Sequence, residues 1–158
     1  MARGQPEPGA QPVDLETHLG YWLRLVSNQV SGAFARALQG RQVSVAEWVA
    51  LSRLGAGAQA SPAELADAMG MTRGAISKVL DKLEAKHWIT RAVSGVDNRV
   101  QLLALTRQGR WALPELADIA DGNDAHFFAA LSAAEQATLR RLLHKLADAH
   151  RITAVPVD

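Results

Sequence analysis

The chain has no cysteine. Disulfides, thiolate metal sites and thiol redox sensing are therefore excluded, and a reducing compartment, the cytoplasm, is expected. No apolar run approaches the roughly 20 residues that span a bilayer, so no membrane association is expected. The opening stretch MARGQPEPGAQPVD lacks the apolar segment of a signal peptide. Its Pro, Gly and Gln content predicts a disordered tail over residues 1–13. Enzymatic signatures are missing too. There is no Gly-rich phosphate loop, no nucleophile elbow and no paired-carboxylate pattern. No catalytic activity and no cofactor are expected. The five histidines, His18, His87, His126, His144 and His150, include no i, i+4 pair, so no metal site is expected and they read as surface or interface residues.

What is present fits one ordinary domain: 158 residues, 48% apolar and 21% charged. The net charge is only +1, but it is unevenly spread. From Thr72 to Arg110, eight basic residues face three acidic ones, a net of +5; the rest of the chain carries −4. A basic middle between acidic flanks points to a surface that meets a polyanion.

Three segments, SVAE (Ser44–Glu47), SPAE (Ser61–Glu64) and SAAE (Ser132–Glu135), match the capping box that opens a helix. Pro62 falls at the first helical position, where its missing donor costs nothing. Helical spacing of Leu19, Trp22, Leu23, Val26 and Val30 predicts a first helix from about Leu15 to Leu38. Further helices are predicted over Ser44–Leu54, over Pro62–Met69 ending at Gly70, and from Thr72 to about Lys86. In the last of these Ile76, Val79, Leu80 and Leu83 form the apolar stripe. The opposite face shows Arg73, Ser77, Lys78, Asp81 and Lys82. WITRAV and VQLLALT are short and β-rich, and read as a hairpin around a Gly-Val-Asp-Asn loop. A long helical stretch follows from Arg107. Pro114 is expected to kink it or mark an early turn, and DGND (Asp121–Asp124) to interrupt it. A last helix is predicted from Ala133 to about His150, striped by Leu139, Leu142, Leu143 and Leu146.

A short helix, a Gly-containing turn, a longer basic helix and a hairpin, in that order, make a helix-turn-helix with a β-hairpin wing. The predicted fold is mainly α with a small hairpin wing. A winged domain spans residues 41–106; residues 14–40 and 107–151 form a helical dimerisation region, and 152–158 a tail. A helix of this kind enters the major groove of double-stranded DNA with its N-terminal residues at the base edges. Those residues are Thr72, Arg73, Gly74, Ser77 and Lys78, with Lys82 one turn on. Arg73 can take guanine bidentately, and Gly74 is small enough for close approach. The alternative is a winged-helix protein-interaction adaptor that reads no DNA sequence, against which the +5 segment argues.

From about Leu15 to His150, and most closely from Ser61 to Gly109, the sequence resembles the MarR family of winged-helix transcriptional regulators. The resemblance rests on the helix-turn-helix, on Asp97-x-Arg99 in the wing and on LT-x-x-G (Leu105–Gly109) at the start of the next helix. It implies a homodimer whose first and last helices interlock, two winged domains on a pseudo-palindrome, and release of DNA by small anionic aromatic compounds. On that basis Ser94, Asp97, Asn98 and Arg99 are the expected wing contacts. Asp97 and Arg99, two apart on an extended strand, share a side, so the carboxylate can orient the guanidinium toward a narrow minor groove. His18, Trp22, Trp48 and Trp111 are candidates for an effector pocket. The chain departs from the family pattern at His87, where a helix-ending Gly is usual. It also lacks the cysteine by which a subset of the family senses oxidants.

Overall fold

The computed structural model describes residues 14–57, 60–93, 101–153 and 157. After a 3-10 turn at Leu15–Thr17, six helices follow: α1 (Leu19–Gln39), α2 (Val45–Gly55), α3 (Pro62–Met69), α4 (Arg73–Ala85), α5 (Arg107–Phe127) and α6 (Ala133–Ala149). Strands β1 (Ile89–Val93) and β2 (Gln101–Leu105) pair antiparallel between α4 and α5, with Ile89 opposite Leu105 and Arg91 opposite Leu103. This is the predicted mainly helical architecture with a hairpin wing. The expected tail at residues 1–13 lies outside the described residues.

Each capping box forms as the sequence predicts. In the first, Ser44 N–H donates to Glu47 Oε2 at 2.8 Å and Glu47 N–H to Ser44 Oγ at 3.2 Å. Ser61 with Glu64 and Ser132 with Glu135 repeat the arrangement. In all three, Glu carboxyls are held below the ordinary glutamate value. At Glu64 the backbone hydrogen bond from Ser61 is the main cause, and at Glu135 the side-chain bond from Ser132.

The core gathers Leu51, Leu54, Leu65, Met69, Ile76, Leu80, Leu83, Ile89 and Leu103 beneath the helix-turn-helix and the hairpin. Leu38 from the end of α1 and Leu116 from α5 are buried in the same cluster, so both flanking helices are rooted in the winged domain. One core contact has no signal in the sequence. Leu103 N–H donates to Ala60 O at 2.9 Å, a single bridge that adds the segment before α3 to the hairpin.

The expected interruption of the long helix is corrected. α5 continues through Asp121–Asp124, and Pro114 lies inside it rather than at an early turn. The DGND run stays helical because it lies along α1, where Asn123 Nδ2 donates to Val30 O at 3.3 Å; tertiary packing overrides a weak local propensity. At the other end the first helix begins later than expected. His18 is extended (φ −96°, ψ 122°) and separates the 3-10 turn from α1.

α6 buries none of its residues and has no extensive packing contact with another element; Gln136 Nε2 donates to Phe128 O and Leu131 O just past α5. Leu139, Leu142, Leu143 and Leu146 stay exposed, as do Leu19, Trp22, Leu23, Leu25 and Val26 on α1. The two stripes therefore do not cover each other within one chain. No helix among the described residues is long and apolar enough to cross a membrane.

Candidate nucleic-acid interface

The recognition element is built from the turn outward. α3 ends at Gly70, whose φ of 64° is left-handed and favours glycine. Gly70 N–H donates to Asp67 O and Met71 N–H to Ala66 O, a Schellman ending that turns the chain sharply. Thr72 then caps α4, accepting a hydrogen bond from Ala75 N–H at 3.2 Å. This leaves the Thr72 hydroxyl proton to donate outward. Ile76, Val79, Leu80 and Leu83 are buried, while Thr72, Arg73, Gly74, Ser77, Lys78 and Lys82 lie exposed on the opposite side. The six residues expected to meet DNA from this helix are thus brought to one face.

α4 ends on the residue singled out as atypical. His87 takes φ 57°, the left-handed conformation that Gly would adopt at lower cost. The helix does not end differently for lacking Gly: His87 N–H donates to Glu84 O at 2.8 Å and Trp88 N–H to Leu83 O at 3.0 Å, a complete Schellman motif. Gln42 and Arg151 adopt the same conformation after α1 and α6.

The end of α4 is joined to the start of α5 by a compact knot. Thr106 N–H donates to Trp88 O at 3.0 Å, and Thr106 Oγ1 donates to His87 O at 2.6 Å while accepting from Gly109 N–H at 3.0 Å. A Cβ on Gly109 would stand 2.0 Å from Trp88 O. The LT-x-x-G pattern is therefore a packing requirement, the glycine letting the helix approach a carbonyl.

The +5 charge of this segment is not all available to a polyanion. Lys86 Nζ lies 2.6 Å from Glu47 Oε1 and donates to Gln42 O at 2.6 Å. Arg91 is paired with Asp81 and Glu84 of α4. Arg107 stacks over Trp111, 4.3 Å from the ring centroid. Arg110 donates to Leu105 O. Arg73, Lys78 and Lys82, by contrast, have no ion-pair partner among the described residues. The order of charges along the sequence does not show this division, since Glu47 and Lys86 are 39 positions apart.

The wing residues Ser94, Asp97, Asn98 and Arg99 lie outside the described residues. The candidate effector residues are dispersed in their contacts. His18 is exposed at the start of α1. Trp22 Nε1 donates to Glu16 O and its ring meets Tyr21 edge-on. Trp48 packs edge-on against Phe34 beside the core. Trp111 is 64% exposed. The described residues hold no cluster of three or more His, Asp or Glu able to bind a metal.

A cap-terminated helix pair with its basic face outward and a hairpin beside it defines a winged helix-turn-helix protein. The MarR family profile matches residues 41–99. An HTH-type transcriptional repressor of Mycobacterium bovis is 31% identical over 128 residues, covering 81% of this chain and 92% of that protein. A putative transcriptional regulatory protein for the hcr operon of Thauera aromatica is 40% identical over 86 residues; the match covers 54% of this chain and about half of that protein, 52%. Among solved structures, a MarR family protein of Mycobacterium tuberculosis in complex with DNA superposes with a TM-score of 0.72 at 29% identity, covering 82% of this chain and 97% of that one. The chain belongs to the MarR family of DNA-binding transcriptional regulators.

Proposed function

We propose that this chain is a homodimeric repressor that binds a pseudo-palindromic double-stranded operator and loses affinity when a small aromatic or anionic effector binds. The carrying observation is the pairing of two unsatisfied surfaces: the basic face of α4 and the uncovered apolar stripes of α1 and α6. An apolar surface of this extent marks an association site. A second copy supplies the same stripes in return, as a two-fold interface requires. In this reading residues 14–40 and 107–151 serve dimerisation, and residues 41–106 read DNA.

In the major groove Arg73 takes a guanine, Ser77 a base or phosphate, and Lys78 and Lys82 the phosphates. Thr72 donates to a phosphate while capping its helix, and Gly74 lets the backbone approach. From the wing, Arg99 enters the minor groove, oriented by Asp97 and flanked by Ser94 and Asn98. His18, Trp22, Trp48 and Trp111 are the residues assigned to effector recognition. Effector binding acts by changing the separation of the two recognition helices, which must lie about 34–36 Å apart to enter successive major grooves.

Selection of bound sequences from a random double-stranded pool tests this directly. The expected product is a pseudo-palindrome with half-sites about 10 base pairs apart. Recovery of unselected sequence, or of a single half-site, contradicts it.

A further inference from the structure

Arg91 occupies a position where the hairpin calls for an apolar side chain. Strand alternation puts it on the same side as Ile89, two residues earlier, and the register puts it opposite Leu103. Both neighbours are buried, Ile89 at 2% exposure and Leu103 at 0%. The Arg91 stem is largely covered in the same layer, and its guanidinium reaches the rim of α4. There Nη2 lies 2.5 Å from Asp81 Oδ1, and Nε approaches Glu84 Oε2 at 3.2 Å. Asp81 and Glu84, three apart, are adjacent on the helix surface, so one guanidinium sits beside both, hydrogen-bonded to Asp81 and within ion-pair distance of Glu84 without a hydrogen bond from Nε.

Asp81 also continues the row Arg73–Ser77–Asp81, each four residues from the last. Arg73, Ser77, Arg91 and Gln101 line a groove of about 510 Å³ between α4 and the hairpin, closed at one end by the start of α3 (Ser61–Ala63), with Ile76 and Leu80 among its apolar lining residues. Arg91 links the two walls. A helix in the major groove and a hairpin in the adjacent minor groove must straddle the sugar–phosphate strand that separates the two grooves. The gap between helix and hairpin has to match that strand.

We propose that Arg91 is a positioning residue, a clamp from the hairpin onto Asp81 and Glu84 that holds this groove at the width of one nucleic-acid backbone strand. It rests on the DNA-reading role proposed above. The clamp uses the Arg91 charge internally, so its contribution to DNA affinity is geometric. A direct phosphate contact and a clamp therefore respond oppositely to loss of the carboxylates.

The test is the double variant Asp81→Asn/Glu84→Gln, with Arg91→Gln and Arg91→Lys beside it, measured on a selected DNA site over a salt series. Removing two negative charges from a face presented to DNA should tighten binding if electrostatics alone matters. The clamp predicts the reverse: about fivefold or more weaker binding for the carboxylate double variant, the factor expected of a partly exposed ion pair. Arg91→Gln weakens binding by the same factor with an unchanged salt slope, whereas loss of a phosphate contact makes the slope shallower by about 0.9. Arg91→Lys, which keeps the charge but loses the fork, recovers binding only in part. Hydroxyl-radical protection of the flanking minor grooves is expected to fade while guanine N7 protection persists. Equal or tighter binding by the double variant, or a shallower slope for Arg91→Gln, overturns the clamp. If thermal melting shows the double variant unfolded, the single Asp81→Asn variant carries the same comparison. Failure of the DNA-reading role itself is distinct, since the unaltered chain would then bind no DNA.

Discussion

Glu47 and Lys86 form an ion pair at 2.6 Å that fastens the start of α2 to the end of the recognition helix. Glu47 is 2% exposed and does two jobs at once, since Oε2 closes the capping box on Ser44 while Oε1 accepts from Lys86. Burial pushes the Glu47 carboxyl up, but the hydrogen bonds from Lys86 and Ser44 outweigh it and hold the group below the ordinary value of 4.5. A carboxyl depressed in the folded state adds stability above its unfolded value and loses it as pH falls through the folded value. Glu47→Gln is expected to cost about 2 kcal/mol at neutral pH, less than a fully buried pair because Lys86 is partly exposed. Urea melts from about pH 6 down to about pH 3 should show the difference from the unaltered chain shrinking as acid is added.

Gly109 tests the joint between the winged domain and α5. Any side chain there meets Trp88 O, a backbone atom that cannot turn aside. Gly109→Ala should destabilise by about 1–3 kcal/mol, as overpacking does, despite alanine's better helix propensity. A gain in melting temperature would show that α5 does not sit against Trp88.

His87 works the other way. Its left-handed backbone carries a cost of roughly 1 kcal/mol that glycine avoids. His87→Gly should therefore stabilise by about 0.5–1 kcal/mol in denaturant melts, less the entropy that glycine adds to the unfolded chain. The Thr106 hydroxyl bonds to the backbone carbonyl of residue 87, so the joint survives the change.

In the proposed homodimer the apolar stripe on α6, exposed in the single chain, is the assembly surface. Leu142→Glu with Leu146→Glu leaves the winged core untouched, because neither side chain is in it. Sedimentation should shift from dimer to monomer, and operator binding should weaken about 100-fold or more, the low end of what linking two binding sites contributes. A variant that remains dimeric would place the interface elsewhere.

Much of the fold was legible because its signals are local. Three Ser-x-x-Glu boxes, Gly70 and the stripe of α4 each act within a few residues, and the helices lie where they point. The failures were failures of range. DGND looked like a break because its partner, the Val30 carbonyl, is 93 residues away. Glu47 was fully explained as a capping residue, which hid its pairing with Lys86. Arg91 counted as one more cation on a basic segment. An arginine at an apolar strand position, two residues after an isoleucine, was the available signal for its inward placement.

In the proposed reading the exposed cations of α4 divide by task. Arg73→Ala should cost about 1–3 kcal/mol of specific binding and relax preference at one base pair. Lys78→Ala and Lys82→Ala should weaken all sequences alike, each making the salt slope shallower by about 0.9. Equal losses on random and selected DNA for Arg73→Ala would remove its role as a base reader.

DNA reading is tested most directly by the salt dependence of binding by the unaltered chain, read by fluorescence anisotropy on a DNA duplex from its own upstream region. Phosphate neutralisation by Lys78, Lys82 and their partners in a second copy predicts a linear fall of log K with log salt, with a slope of about −3.6 or steeper for four contacts. A flat line, or no binding at low salt, would contradict it.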